Sequence, residues 1–331
     1  VGEDAAPAEP NAAIYSHDDL SINGGGSLTV TGEYHNGIQC QDNLKLIGGE
    51  ITVDAVNDGI RGRDSIAVRG GAIMVRSGGD ALQSSNDSAS DRGFVLIEGG
   101  RLKLEAALDG IQAETRIVVS GGILSIKSGS GHTYRPDEDE YDDRDEEESA
   151  GVPGPSARGL KAGVEVLLAG GTVEVDSFDD AVHCDGSVVI DGGDIILASA
   201  DDGIRAVESV HVSGGDLRIT DCYEGIESAI VTIEDGSVHV VARDDGINIR
   251  GRLTYDEDTD REAMGRRLLE INGGYLAIES GGDGVDANGR IVMTGGAAIL
   301  STSAHGDNAV DYIRSCTVDG GVLIAAGGLR R

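Results

Sequence analysis

Four residue pairs recur at intervals of 21 or 22 positions: Asp179-Asp180, Asp201-Asp202, Tyr223-Glu224 and Asp244-Asp245. Three residues past the second member of each pair stand His183, Arg205, Glu227 and Asn248, with Lys161 one interval earlier. If one interval is one turn of a stacked chain, equivalent residues lie about 4.8 Å apart in files. Like charges at that separation repel by roughly 3 kcal/mol at an effective dielectric near 20. Doubled carboxylates therefore call for a cation. Calcium suits them better than magnesium, because it accepts six to eight oxygens in loose geometry. Asp before Gly is also a good turn former. That accounts for Asp58 and Asp109 but not for doubled acids. Asp179, Asp180, Asp201, Asp202, Glu224, Asp244, Asp245 and Asn248 are thus candidate calcium ligands.

A further group lies near the C-terminus, where the Gly282–Gly289 stretch carries Asp283, Asp286 and Asn288. One interval on, Asp311 should stack over Asp286 and Asn308 over Asp283, making a second candidate calcium site. Lys161, His183, Arg205 and Arg250 are the basic residues placed to meet an acidic glycan, or simply to neutralise carboxylates. Lys161 or Arg205 would be the base if the chain were a polysaccharide lyase. There is no GxSxG, HExxH or P-loop string, and no catalytic residue is assigned.

Those files need elements that repeat. Gly-Gly pairs begin at Gly48, Gly70, Gly99, Gly121, Gly170, Gly192, Gly214, Gly273, Gly295 and Gly320, and Asp235-Gly236 fills the one gap. The basic spacing is 22. Alternating apolar residues flank each pair, as in Val188 and Ile190 before Gly192 and Ile195 and Leu197 after it. Alternation of this kind is a strand with one buried face, and the glycines mark a corner. About ten residues later comes Asp-Gly-Ile or a variant, expected at another corner. Three short strands per period predict an all-β fold, a right-handed single-stranded parallel β-helix of about eleven coils of about 22 residues. A propeller would need ~40–50 residues per repeat and a calcium nonapeptide solenoid nine. Residues 1–13 read as a linker or processed remnant and 14–331 as the solenoid, interrupted at 130–157 and 251–268. The first insertion holds the acidic run 137–148, expected to be a solvated loop. The second holds Asp256, Asp258 and Asp260, a weak metal string.

The formal net charge of -33 disfavours nucleic acid and anionic membrane surfaces as partners. Four cysteines without a CxxC pair suggest core fillers and exclude a disulfide framework. No apolar run approaches the ~20 residues of a spanning helix.

The ordered strings Asp179-Asp180-Ala181-Val182-His183, Asp201-Asp202-Gly203-Ile204, Tyr223-Glu224-Gly225-Ile226-Glu227 and Asp244-Asp245-Gly246-Ile247-Asn248 resemble a known family. So do Ile271-Asn272-Gly273-Gly274-Tyr275 and Gly282 to Gly289. It is the bacterial calcium-containing carbohydrate-binding parallel β-helix family, similar in shape to pectate and polysaccharide lyases. The resemblance spans about residues 14–331. It implies a secreted or cell-surface bacterial protein that carries calcium and binds cellulose- or polygalacturonate-like polysaccharide without cleaving it. Arg205 stands where a lyase of similar fold would place another acidic calcium ligand. A pectate-lyase-type enzyme and a structural surface spacer are the alternatives.

Overall fold

The computed structural model describes residues 11–133, 156–250, 266–303 and 307–327. The acidic run 137–148 and the string Asp256, Asp258, Asp260 lie outside them. The described elements are all strands, and every pairing among them is parallel. They group into twelve turns of a solenoid, three strands to a turn except in turns 6 to 9, where two of the three segments run on as one strand. The first turn is Ala12–Ser16, Leu20–Ile22 and Ser27–Gly32; the last is Asp311–Tyr312, Ser315–Val318 and Val322–Ala326. The expected eleven coils become twelve because a count starting at Gly48 omits the first turn, whose corner is Gly24-Gly25-Gly26.

The period is also the register. Val188 pairs with Val210 and Val210 with Val231, so residues one interval apart stack in one column. The Ile of each Asp-Gly-Ile forms another column, from Ile38 through Ile60, Leu82, Ile111, Leu160, Val182, Ile204 and Ile226 to Ile247, all fully buried. Each such side chain contributes about 1.5–3 kcal/mol relative to exposure. The columns fill the tube with branched aliphatics and leave no void for aromatics, consistent with a chain lacking Trp.

The two glycine motifs work differently. At the Gly-Gly corners the second glycine has positive φ, as at Gly100 (97°) and Gly193 (101°). A β-carbon there would suffer strain, so glycine is required. The glycines of Asp-Gly-Ile also lie at bends between strands, as expected, but do not have positive φ. At Gly59 a β-carbon would come within 2.8 Å of the Ala81 carbonyl oxygen in the next turn. Close stacking, rather than a reversal, selects the small residue.

Cys40, Cys184 and Cys222 are buried and Cys316 partly so, and none forms a disulfide. Among the described residues no helix is long and apolar enough to cross a membrane.

Candidate functional site

The Asp or Asn that opens most of these Asp-Gly-Ile strings is first a structural cap. Asn36 Oδ1 accepts the Asp58 N–H at 3.1 Å, Asp58 Oδ1 that of Asp80 at 3.3 Å, and Asp80 Oδ1 that of Asp109 at 3.0 Å. Asp109 Oδ1 accepts the N–H of Arg158 at 2.9 Å and Asp180 Oδ1 that of Asp202 at 3.3 Å. The series resumes with Asp245 to Asp283 (2.7 Å) and Asp283 to Asn308 (2.6 Å). Each short carboxylate thus satisfies a donor of the following turn that burial would otherwise leave unpaired. Among the described residues, Asp202 and Glu224 make no such bond to the next turn.

A second column runs beside the caps, three residues on. It reads Gln39, Arg61, Gln83, Gln112, Lys161, His183, Arg205, Glu227, Asn248, Asp286 and Asp311. Its members up to Arg205 are, in these turns, amides and bases that face the caps. Arg61 lies 3.7 Å from Asp58, Gln83 Nε2 donates to Asp80 Oδ2 at 2.6 Å, and Lys161 reaches Asp109 at 3.3 Å. His183 Nδ1 meets Asp180 Oδ2 at 2.6 Å, and Arg205 lies 3.6 Å from both Asp202 and Glu227. From Glu227 onward the column turns acidic or neutral.

Three carboxylate groups gather along this face, each with ligand atoms within 4.8 Å of one another: Asp179, Asp180 and Asp201; Asp202, Glu224 and Glu227; Asp283, Asp286 and Asp311. The candidate ligands from Asp179 to Asn248 therefore do not form one set, because Asp202 joins the next turn's glutamates and not Asp201. The first group is already served by cations. Arg158 Nε lies 3.4 Å from Asp179 and 3.3 Å from Asp180. Burial opposes ionisation of Asp180, yet the His183 hydrogen bond and the charges of His183, Arg158 and Arg205 hold its carboxyl below the usual range. Asp201 is left with its carboxyl at about 7, raised by burial and by Asp180 and Asp179.

The second group shares Arg205 yet keeps unmet hydrogen-bond acceptors. Asp202 Oδ2, Glu224 Oε2 and Asn248 Oδ1 are buried acceptors without a hydrogen-bond partner. Asn248 Nδ2 donates to Glu224 Oε1 at 2.9 Å, which turns the amide oxygen toward open coordination. Burial, then Asp201 and Glu224, push the Asp202 carboxyl well up. Burial, then Glu227, does the same at Glu224. Arg250 follows the strand Ile247–Ile249 and its charge acts on both Glu224 and Asp286.

In the third group Asp286 pairs in register with Asp311 as expected. Its carboxyl rises to about 6 through burial and the charges of Asp283 and Asp311. Asp244 and Asp245 sit between the second and third groups, both approaching Gly282 where a β-carbon would stand. Burial and Asp244 raise Asp245 to about 7. Asn288 follows the strand Val285–Ala287 and donates its N–H to the Ile249 carbonyl at 3.0 Å.

Such hard-oxygen sets with orphaned acceptors fit calcium, which takes carboxylate and amide oxygens together. Asp202, Glu224, Glu227 and Asn248 would hold one ion, and Asp283, Asp286 and Asp311 another. Glu227 and Arg158 were not among the expected site residues. Glu227 was visible in its column. Arg158 follows Asp109 by 49 residues, across the insertion, where the period fails.

Comparison with known proteins bears on what this face serves. A family model described as "Carbohydrate-binding domain-containing protein" matches residues 2–203 and 198–322. A protein of that description from Acetivibrio thermocellus is 51% identical over 53 residues, 16% of this chain and 18% of that relative. The match therefore spans under a fifth of the relative's length. A solved structure titled as a polysaccharide lyase-like protein from C. thermocellum, gadolinium derivative, aligns over 93% of this chain and 88% of its own at 14% identity. Its TM-score of 0.29 is too low to carry an argument. With most of its length covered by the family model, this chain belongs to the carbohydrate-binding domain-containing family.

Proposed function

We propose that this protein is a calcium-loaded, non-catalytic polysaccharide-binding protein of the bacterial surface or surroundings. Calcium held in turns 8 to 12 would bridge it to uronate-containing polymers such as polygalacturonate. The observation that carries this is a trio of buried acceptors that make no hydrogen bond, Asp202 Oδ2, Glu224 Oε2 and Asn248 Oδ1, in and beside one carboxylate group. A protein of net charge -33 has little other means of holding a polyanion. Lys161, His183, Arg205 and Arg250 would add direct contacts along the same face.

A lyase is the weaker reading. Burial opposes the Arg205 charge, but Glu227, Asp202, Asp180 and Asp201 outweigh it and raise the guanidinium above its already high range. A group held protonated cannot take a proton from substrate. Lys161 is likewise engaged by Asp109.

Affinity electrophoresis in polygalacturonate gels tests the proposal. The chain should be retarded with calcium and run freely with chelator, and Glu224→Gln with Glu227→Gln should abolish the calcium effect. Ultraviolet absorbance of the mixture should show no unsaturated uronate forming. Absence of metal by elemental analysis, with no retardation, would refute calcium-mediated binding and leave the spacer.

A further inference from the structure

We propose that a second glycan site lies in the groove at the ends of the third strands of turns 1 to 5, and that it takes an uncharged, extended polysaccharide chain without calcium. The groove has a volume of about 700 Å³ and is reached from solvent along its length. It lies in the N-terminal turns, away from the carboxylate groups of turns 7 to 12. This inference rests on membership of a carbohydrate-binding family and goes beyond the calcium-bridged binding proposed above.

One wall is a column in register, Thr31, Asp54, Arg76, Glu105 and Lys127. Its charges alternate in sign turn by turn. Arg76 is fixed between Asp54 at 3.7 Å and Glu105 at 3.0 Å, and Lys127 is held by Asp176 at 3.4 Å. All are partly exposed, so each keeps capacity for a ligand. Sugar hydroxyls both donate and accept, so a row alternating donors with acceptors can pair with successive units of a chain. The row repeats at about 4.8 Å and runs about 20 Å over five turns.

The floor is small and apolar. Ala55, Ala106 and Ala107 line it, with Val56 61% exposed. Such a surface suits the C–H faces of pyranose rings. The small column, Val56, Gly78, Ala107 and Gly129, ends where Phe178 takes the same place in turn 6. At the other end, Tyr34 directly follows the lining residue Glu33 and is 89% exposed. An aromatic so fully in water is the type of side chain that stacks on a sugar.

Charge selects the polymer. The lining holds three carboxylates, Glu33, Asp54 and Glu105, against two cations, Arg76 and Lys127. In a chain of net charge -33 this patch is nearly balanced. It offers a polyuronate no attraction and a neutral chain no obstacle.

The test is affinity electrophoresis of the full chain in hydroxyethylcellulose gels containing chelator, with titration of cello-oligosaccharides of increasing length. Wild type should be retarded, and affinity should climb with length until the oligomer spans about 20 Å, then level off. Tyr34→Ala and Arg76→Ala should each weaken binding about tenfold, and Ala107→Arg, at an exposed floor position, should abolish it. All three lie at the surface, so thermal midpoints should hold, which separates lost binding from lost folding. Retardation in polygalacturonate with calcium should be unchanged by them. Wild-type binding that all three variants retain would overturn the groove while leaving carbohydrate binding intact. A wild type that binds glucan only with calcium, or not at all in chelator, would also overturn it.

Discussion

Turns 2 to 8 and turns 9 to 12 share one backbone ladder and differ in how their carboxylates are compensated. In the first region the caps face amides or bases: Asn36 with Gln39, Asp58 with Arg61, Asp80 with Gln83, Asp180 with His183, Asp202 with Arg205. In the second they face Glu227, Asn248, Asp286 and Asp311, and the acid excess stays unbalanced. Position in the fold is the same, so one side chain per turn decides whether a carboxylate is neutralised or stays among other acids, and Asp202, beside Arg205 yet grouped with Glu224 and Glu227, has both surroundings. Arg205 and Glu227, adjacent in the column and 3.6 Å apart, mark the boundary.

Moving that boundary should have the largest effect. Arg205→Glu leaves Asp202 without its base and adds an acid beside Glu227, so in chelator it should cost about 3–5 kcal/mol of stability. Calcium should restore much of this. A variant equally stable with and without calcium would show that the two regions do not differ as described.

Chelating the wild-type protein should be next in size. An ion that binds only the folded form at a hundredfold its dissociation constant contributes about 2.7 kcal/mol. Amide exchange should speed up in turns 9 to 12 and stay slow in turns 2 to 5. Uniform acceleration would mean that the ion sites are not confined to the second region.

Asp80 is the exception that sharpens the contrast. It lies in the first region, but its partner Gln83 is neutral, and burial together with Asp109 and Asp58 raises its carboxyl from 3.8 to about 7. Because the folded form holds this proton more tightly than the unfolded chain, stability from this group is greatest below 3.8 and is lost as pH rises through about 7. Asp80→Asn should therefore raise the unfolding free energy above neutrality, by on the order of 1–2 kcal/mol, and change it little near the acid end. The Asn36 and Gln39 pair, bonded at 2.9 Å, already uses that solution two turns away. A gain that does not depend on pH would refute the raised carboxyl.

Much of this was legible because a solenoid converts distance along the chain into position in space. Asp286 over Asp311 and Val188 over Val210 follow from counting. Counting fails where the interval is broken. Arg158 enters the cap column after an insertion, and its neutralising of Asp179 and Asp180 left no mark in the period. That the Asp-Gly corners need glycine for close stacking was not legible, because sequence does not distinguish positive φ from a close approach.

The amino-acid sequence by itself determined the parallel stack, its register and the files in which acids would stand, since each apolar column can be buried only if equivalent residues superpose. Only the tertiary structure decided how the acids divide. Asp202 joins Glu224 and Glu227 rather than Asp201, and Arg158 and His183 close the preceding group, because those outcomes turn on side-chain reach between neighbouring turns rather than on spacing. The groove beside Arg76 belongs to the same class. It arises where small side chains on successive turns leave room against a charged wall, and only packed coordinates bring that room into view.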